Sequence, residues 1–174
     1  MNAAANVFFL ILKLFSLYFL AVSLFGLYRR KKSEASTERR RFAVLIAARN
    51  EESCIAGIIE SLRAQHYPSG LFDIWVLPNN CTDRTADAAR RVGAEVMEMP
   101  ASVHSKGAAL QYASNALLRS PRRYDAFCVF DADNEADPSF LSEMNQALSR
   151  TAIVKSRILA KNRTQAGISA CYEI

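Results

Sequence analysis

The chain has 174 residues and a formal net charge of +5, long enough for one domain with a sizeable core. The charge is not spread evenly. Residues 29–41 (RRKKSEASTERRR) hold seven basic and two acidic side chains, Lys13 adds one more positive charge, and the remainder from residue 42 onward carries −1. That distribution excludes a broadly basic nucleic-acid-binding domain.

Residues 7–28 (VFFLILKLFSLYFLAVSLFGLY) contain 18 apolar or aromatic residues, interrupted only by Lys13, Ser16, Ser23 and Gly26. At about 1.5 Å of rise per residue, a helix of this length covers the ~30 Å hydrocarbon core of a bilayer. A cleaved signal peptide would need a basic leading region and a small-residue cleavage site, and this stretch has neither. Lys13 stands about two turns in, where it can snorkel. The basic run that follows predicts a cytoplasmic flank beside anionic lipid, with the short N-terminus outside.

Beyond residue 41, apolar runs alternate with helical patterns. Strands are predicted at Phe42–Ala48, Leu71–Leu77, Glu95–Met99, Asp125–Phe130 and Thr151–Leu159. Helices are predicted at Asn50–Ala64, from a Thr82 cap to Val92 with Gly93 as its stop, at Ala108–Leu118 behind a Ser105 cap, and after Asp137-Pro138. This order predicts an α/β fold, a mainly parallel sheet covered by helices on both faces. In such sheets ligands bind outside the carboxyl ends of the strands.

Chemistry-bearing residues collect at those ends. Asp131 and Asp133 follow the fourth strand, spaced so that extended backbone would send both carboxylates to one side. Such a pair suits Mg²⁺ or Mn²⁺ shared with a phosphate, or else it is a solvated acidic turn. Asn79 and Asn80 follow the second strand and either meet a base edge or simply make the turn. Lys106 precedes a helix start and either reaches a diphosphate or stands in solvent. Arg49 and Glu51 sit on the first strand-to-helix turn. Cys54, Cys81, Cys128 and Cys171 lack zinc-ligand spacing and read as reduced thiols. Two Asn-x-Thr acceptor patterns, at Asn80 and Asn162, have no meaning on a cytoplasmic face.

Taken in order, Val44–Glu52 (VLIAARNEE), Asn79–Asp83 (NNCTD), Ser105–Leu110 (SKGAAL) and Phe130–Asp133 (FDAD) resemble the family-2 glycosyltransferases with the Rossmann-like GT-A fold. The resemblance covers residues 42–174. It implies that Ala47, Arg49 and Glu51 line a nucleoside pocket, that Asn79 faces the base, and that Lys106 lies near the diphosphate. It also implies that Asp131 lies by the ribose and metal, with Asp133 a direct ligand of Mn²⁺ or Mg²⁺. Two positions depart from the pattern. Ala47 stands where the family has Pro or Thr, and Asn79 where it has an Asp that accepts from the uracil N3–H.

The implied activity is inverting transfer of a sugar from a nucleotide-diphosphate donor, a UDP-sugar, to an acceptor hydroxyl on a glycan or lipid. It would serve surface polysaccharide or glycolipid synthesis at the cytoplasmic face of the inner membrane. The family's acidic T-E-D-type general base and its R-W motif do not occur here, so the catalytic base is expected beyond Ile174 and the chain reads as the donor-binding portion of a longer enzyme. A non-catalytic nucleotide-sugar-binding or scaffolding protein is the alternative. A nucleotidyltransferase is disfavoured because no Gly-rich triphosphate loop follows the first strand.

Overall fold

The computed structural model describes residues 3–26 and 38–158. The chain divides into two compact units, Met1–Glu34 and Ala35–Ile174. In the first, α1 (Ala3–Gly26) is a single helix. Its stretch Ala5–Leu24 has a mean hydropathy of 2.3, and none of it is buried by protein. It is therefore long and apolar enough to cross a membrane. The expected basic linker falls largely outside the described residues.

In the second unit, β1 (Phe42–Ala48) and β2 (Phe72–Pro78) are seven-residue strands. They flank α2 (Ile55–Arg63) and a short 3₁₀ turn, Ser69–Leu71. Then come α3 (Thr85–Arg91), β3 (Glu95–Val96), α4 (Lys106–Arg119), β4 (Ala126–Asp131) and α5 (Phe140–Leu148). All pairings are parallel, in the order β3-β2-β1-β4. The predicted parallel architecture is present.

β1 is central and buried on both faces, which is why it reads as an unbroken apolar run. Its side chains alternate between two cores. Phe42, Val44, Ile46 and Ala48 pack with Ile55, Ile58, Ile59 and Leu62 of α2, Ala88 and Ala89 of α3, and Leu141 of α5. Ala43 and Leu45 face the other way, onto Ala113 and Leu117 of α4. Helices thus cover both faces. The N-terminal approach to β1 is latched to α5: the buried Asn145 accepts from the Arg40 N–H at 3.0 Å and donates to the Glu38 carbonyl at 2.9 Å.

Several predicted boundaries move. α2 begins at Ile55 rather than Asn50, because Asn50 takes a left-handed φ of 57° that no helix interior accepts. α3 starts at Thr85, and Thr82 does not cap it; its backbone N–H donates instead to Asn50 Oδ1 at 2.8 Å. Asp137 is not the cap of α5. Its carboxylate accepts from the Ser139 N–H at 2.8 Å, while Gln65 Oε1 reaches across from the end of α2 to accept from the Leu141 N–H at 2.9 Å. β3 has only two residues, and 151–158 form no strand, although residues 152–158 lie beside Phe127–Val129 around an apolar hollow of about 600 Å³. Two details agree with the prediction: Ser105 caps α4 through Ala108 N–H, and Gly93 ends α3 with φ 82°.

Candidate functional site

Parallel pairing brings the carboxyl ends of β1, β2 and β4 to one edge. Ala47 stands opposite Leu77 on one side and Asp131 on the other. The Asn79 N–H extends the β1–β2 ladder by one bond, to the Ala48 carbonyl at 2.9 Å. Residues after these three strands, and the start of α4, therefore share one rim.

The loops after β1 and β2 are stitched together. The Glu51 N–H donates to Thr85 Oγ1 at 2.9 Å, and the Glu52 N–H to Asp83 Oδ2 at 3.1 Å. In return, Glu52 accepts from the Arg84 N–H and Nε, each at 3.1 Å. Thr85 is fully buried, and its hydroxyl donates to Asp83 Oδ1 at 2.5 Å. That bond, with the backbone N–H groups of Glu52 and Thr85, holds the Asp83 carboxyl below its ordinary range. Cys81 joins the seam, its sulfur 3.5 Å from the Asn50 N–H. Asn50, Glu52, Asp83 and Thr85 were not singled out as site residues; the signal for them was the density of Asn, Glu, Asp and Thr directly after two apolar strands.

Glu51 is held at both ends. Thr85 fixes its backbone, and the Cys54 thiol donates to its Oε2 at 2.9 Å. That bond, together with burial and the charges of Glu51 and Asp133, pushes the Cys54 pKa up to about 11. Arg49 is exposed at the tip of the same loop and Ala47 is half-buried below it. Asn79 is buried, with its Oδ1 accepting from Asn80 Nδ2 at 2.8 Å.

Lys106 and Asp131 meet directly: Nζ pairs with Oδ1, and both side chains are about half exposed. Asp131 ends β4, and the chain then turns through Ala132 and Asp133, closed by the Asn134 N–H on the Asp131 carbonyl at 3.3 Å. The expected convergence by strand alternation is therefore not what places Asp133. Ala132 points into the core, and both carboxylates are exposed to either side of it. Asp131 faces Lys106, while the charge of Asp133 is felt at Cys54.

Among the described residues, no group of three or more His, Cys, Asp or Glu side chains is placed to hold a metal ion. Asp131 and Asp133 nevertheless fit Mg²⁺ or Mn²⁺. Both are hard oxygen donors open to solvent, and these ions bind through one or two carboxylates while phosphates and water fill the remaining positions. The rim is otherwise short of positive charge for an anionic ligand, since Glu51, Glu52, Asp83, Asp131 and Asp133 outnumber Arg49, Arg84 and Lys106.

Comparison with known proteins gives the family and the fold. The family model described as "Glycosyl transferase family 2" matches residues 43–168. A β-monoglucosyldiacylglycerol synthase of Synechocystis sp. is 29% identical over 92 residues, covering 52% of this chain and 19% of the relative. Its namesake from Nostoc sp. is 40% identical over 43 residues, 25% of this chain and 9% of the relative. Among solved structures, the mannosyltransferase PcManGT from Pyrobaculum calidifontis, in complex with GDP-Man and Mn²⁺, superposes with a TM-score of 0.60 at 20% identity. That match covers 76% of this chain and 38% of PcManGT. Residues 1–349 of S. aureus TarS give 0.52 at 19% identity, over 63% and 32%. The fold is thus of the GT-A type, and the chain spans about a fifth or less of the curated relatives cited.

Proposed function

The chain belongs to glycosyl transferase family 2, and on that footing we propose that residues 42–174 bind the nucleotide-diphosphate sugar of an inverting glycosyltransferase. The transferred sugar goes to an acceptor hydroxyl in glycolipid or surface-polysaccharide synthesis, the glycolipid reading being the one in line with the names of the curated relatives. Residues 7–28 anchor the protein in a membrane, and the basic segment 29–41 keeps the domain on its cytoplasmic side.

The observation that carries this reading is the rim itself: Lys106 paired with Asp131, beside Ala47 and the Glu51 loop, with Asn79 at the end of the neighbouring strand. The nucleoside lies along Ala47, Arg49 and Glu51, and Asn79 meets its base. In the reaction, a carboxylate general base takes the proton of the acceptor hydroxyl as its oxygen bonds to the anomeric carbon; the bond to the diphosphate oxygen breaks, and the diphosphate leaves with the electron pair. Lys106, from the first turn of α4, supplies positive charge to that leaving group where charge develops. A Mg²⁺ or Mn²⁺ ion held by Asp131 and Asp133 would add Lewis-acid charge neutralisation of the diphosphate. The stitched β1 and β2 loops keep Glu51 and Asn79 in fixed geometry before the donor arrives.

Titration calorimetry with uridine diphosphate, the nucleotide that the motif order implies, tests the proposal. Binding should require Mn²⁺, and Asp133→Ala should lose that requirement together with most of the affinity. Equal binding with and without the metal would refute the role given to Asp131 and Asp133.

A further inference from the structure

The two ends of an amide side chain have opposite chemistry: the oxygen accepts and the nitrogen donates. Which end of Asn79 meets a ligand is decided by two neighbours. The Val103 carbonyl can only accept, and it lies 2.9 Å from Asn80 Nδ2. That contact fixes which way the Asn80 amide points. The same Nδ2 carries a second hydrogen, donated to Asn79 Oδ1 at 2.8 Å. Asn80 spans the two because its backbone sits at a left-handed φ of 53°. The Asn79 oxygen is therefore turned toward Asn80, with one of its two lone pairs used there.

The other end of Asn79 is open. The residue is only 6% exposed, yet its Nδ2 has no hydrogen-bond partner among the described residues and is not one of their fully buried unsatisfied atoms. It is a single donor left at the strand end, facing whatever reaches that position.

Resting on the reading of Asn79 as the base contact, we infer that Asn79 meets the nucleobase as a hydrogen-bond donor and so selects a cytidine-type donor over a uridine-type one. Cytosine N3 is a bare acceptor, matched to Asn79 Nδ2. Uracil N3 carries a hydrogen, which would face another N–H and leave two buried donors unpaired. A carboxylate at this position would do the reverse, accepting from uracil N3–H and repelling the lone pair of cytosine N3. Val103, Asn80 and Asn79 thus form a relay in which a backbone carbonyl sets the base preference two hydrogen bonds away. Of the donor implied by the motif order, the diphosphate and sugar are kept and the base is revised.

The test is calorimetry on the full 174-residue chain in detergent, with UDP and CDP as probes and Mn²⁺ present. The native chain should bind CDP about tenfold or more tighter than UDP, the worth of one well-made hydrogen bond. Asn79→Asp should invert that order. Asn80→Gly keeps the left-handed backbone accessible but removes the amide, so Asn79 can turn over and the two affinities should come within about threefold. UDP binding as tightly as CDP to the native chain would overturn the inference, as would an Asn80→Gly variant that keeps the native ratio. Binding of neither nucleotide would instead bring down the donor-site reading, and this inference with it.

Discussion

Replacing Thr85 by Val tests whether the seam between the β1 and β2 loops holds the site together. Thr85 is fully buried, and valine matches its shape, so packing is conserved while the hydroxyl is lost. Two bonds disappear, the one received from the Glu51 N–H at 2.9 Å and the one given to Asp83 at 2.5 Å. Asp83 keeps the N–H groups of Thr85 and Glu52, each at 3.1 Å, and can turn to water, so its share of the loss is small. The Glu51 N–H is left without a partner beside an apolar methyl, which costs about 1–3 kcal/mol. The single tryptophan, Trp75 in β2, reports unfolding by fluorescence in a urea titration. Thr85→Val should lower stability by that amount without changing the slope of the transition. The Asp83 carboxyl is depressed in the folded state, so its contribution is complete above its unfolded value and is lost as pH falls through the folded one. Part of the acid sensitivity should therefore vanish in the variant. Because Thr85 no longer fixes the Glu51 backbone, donor affinity should fall as well. Stability and affinity both unchanged from the native chain would refute the seam as a structural device.

Lys106→Ala removes an ion pair whose members are both about half exposed. Stability should change by less than about 1 kcal/mol, while affinity for a nucleotide diphosphate measured by calorimetry drops tenfold or more. The Cys54 thiol, raised to about 11, is almost wholly protonated at pH 8, so iodoacetamide should label it slowly there and much faster as pH approaches 11. Peptide mapping of the labelled chain checks this. The full chain should stay in the membrane pellet through an alkaline carbonate wash, and a chain lacking residues 3–26 should be released.

Much of the fold was legible because the strands that define it are buried on both faces. FAVLIAA and DIWVLP are apolar at nearly every position, and such runs have few alternatives to the middle of a parallel sheet. The starts of α2, α3 and α5 were not legible, unlike the Ser105 start of α4, because Asn50 and Gln65 act across the chain. Asn50 turns left-handed to receive Thr82, and Gln65 caps a helix that begins 75 residues later. Local cap rules see only neighbours, so they assigned those ends to Thr82 and Asp137. The 151–159 stretch shows the converse limit. Its β-branched residues favour a strand, but that propensity reflects a place in a sheet rather than supplying one, and 151–158 make no ladder with β4. At the candidate site, motif order named Asp131, Lys106 and Asn79 together, and the fold gathers them on one rim. The direction of the Asn79 amide could not, since it depends on the Val103 carbonyl more than twenty residues away.

The Lys106–Asp131 pair bears on how such a rim receives an anion. Without a ligand, Lys106 neutralises Asp131 at an edge where carboxylates outnumber cations, so the two charges screen each other instead of repelling or attracting what approaches. An exposed pair of this kind is held by no more than about 1 kcal/mol, so its partners exchange readily. A diphosphate oxygen offers Lys106 a charge-assisted bond of the same type, stronger than a neutral one, and accepting it releases the Asp131 oxygens. Asp131 then has both carboxylate oxygens open to solvent, and it and the exposed Asp133 would be the residues to hold a hard cation accompanying the diphosphate. The pair seen here is therefore best understood as a resting arrangement. On the proposed donor-site reading, it keeps Lys106 and Asp131 from binding other ligands until a donor's diphosphate replaces Asp131 as the partner of Lys106.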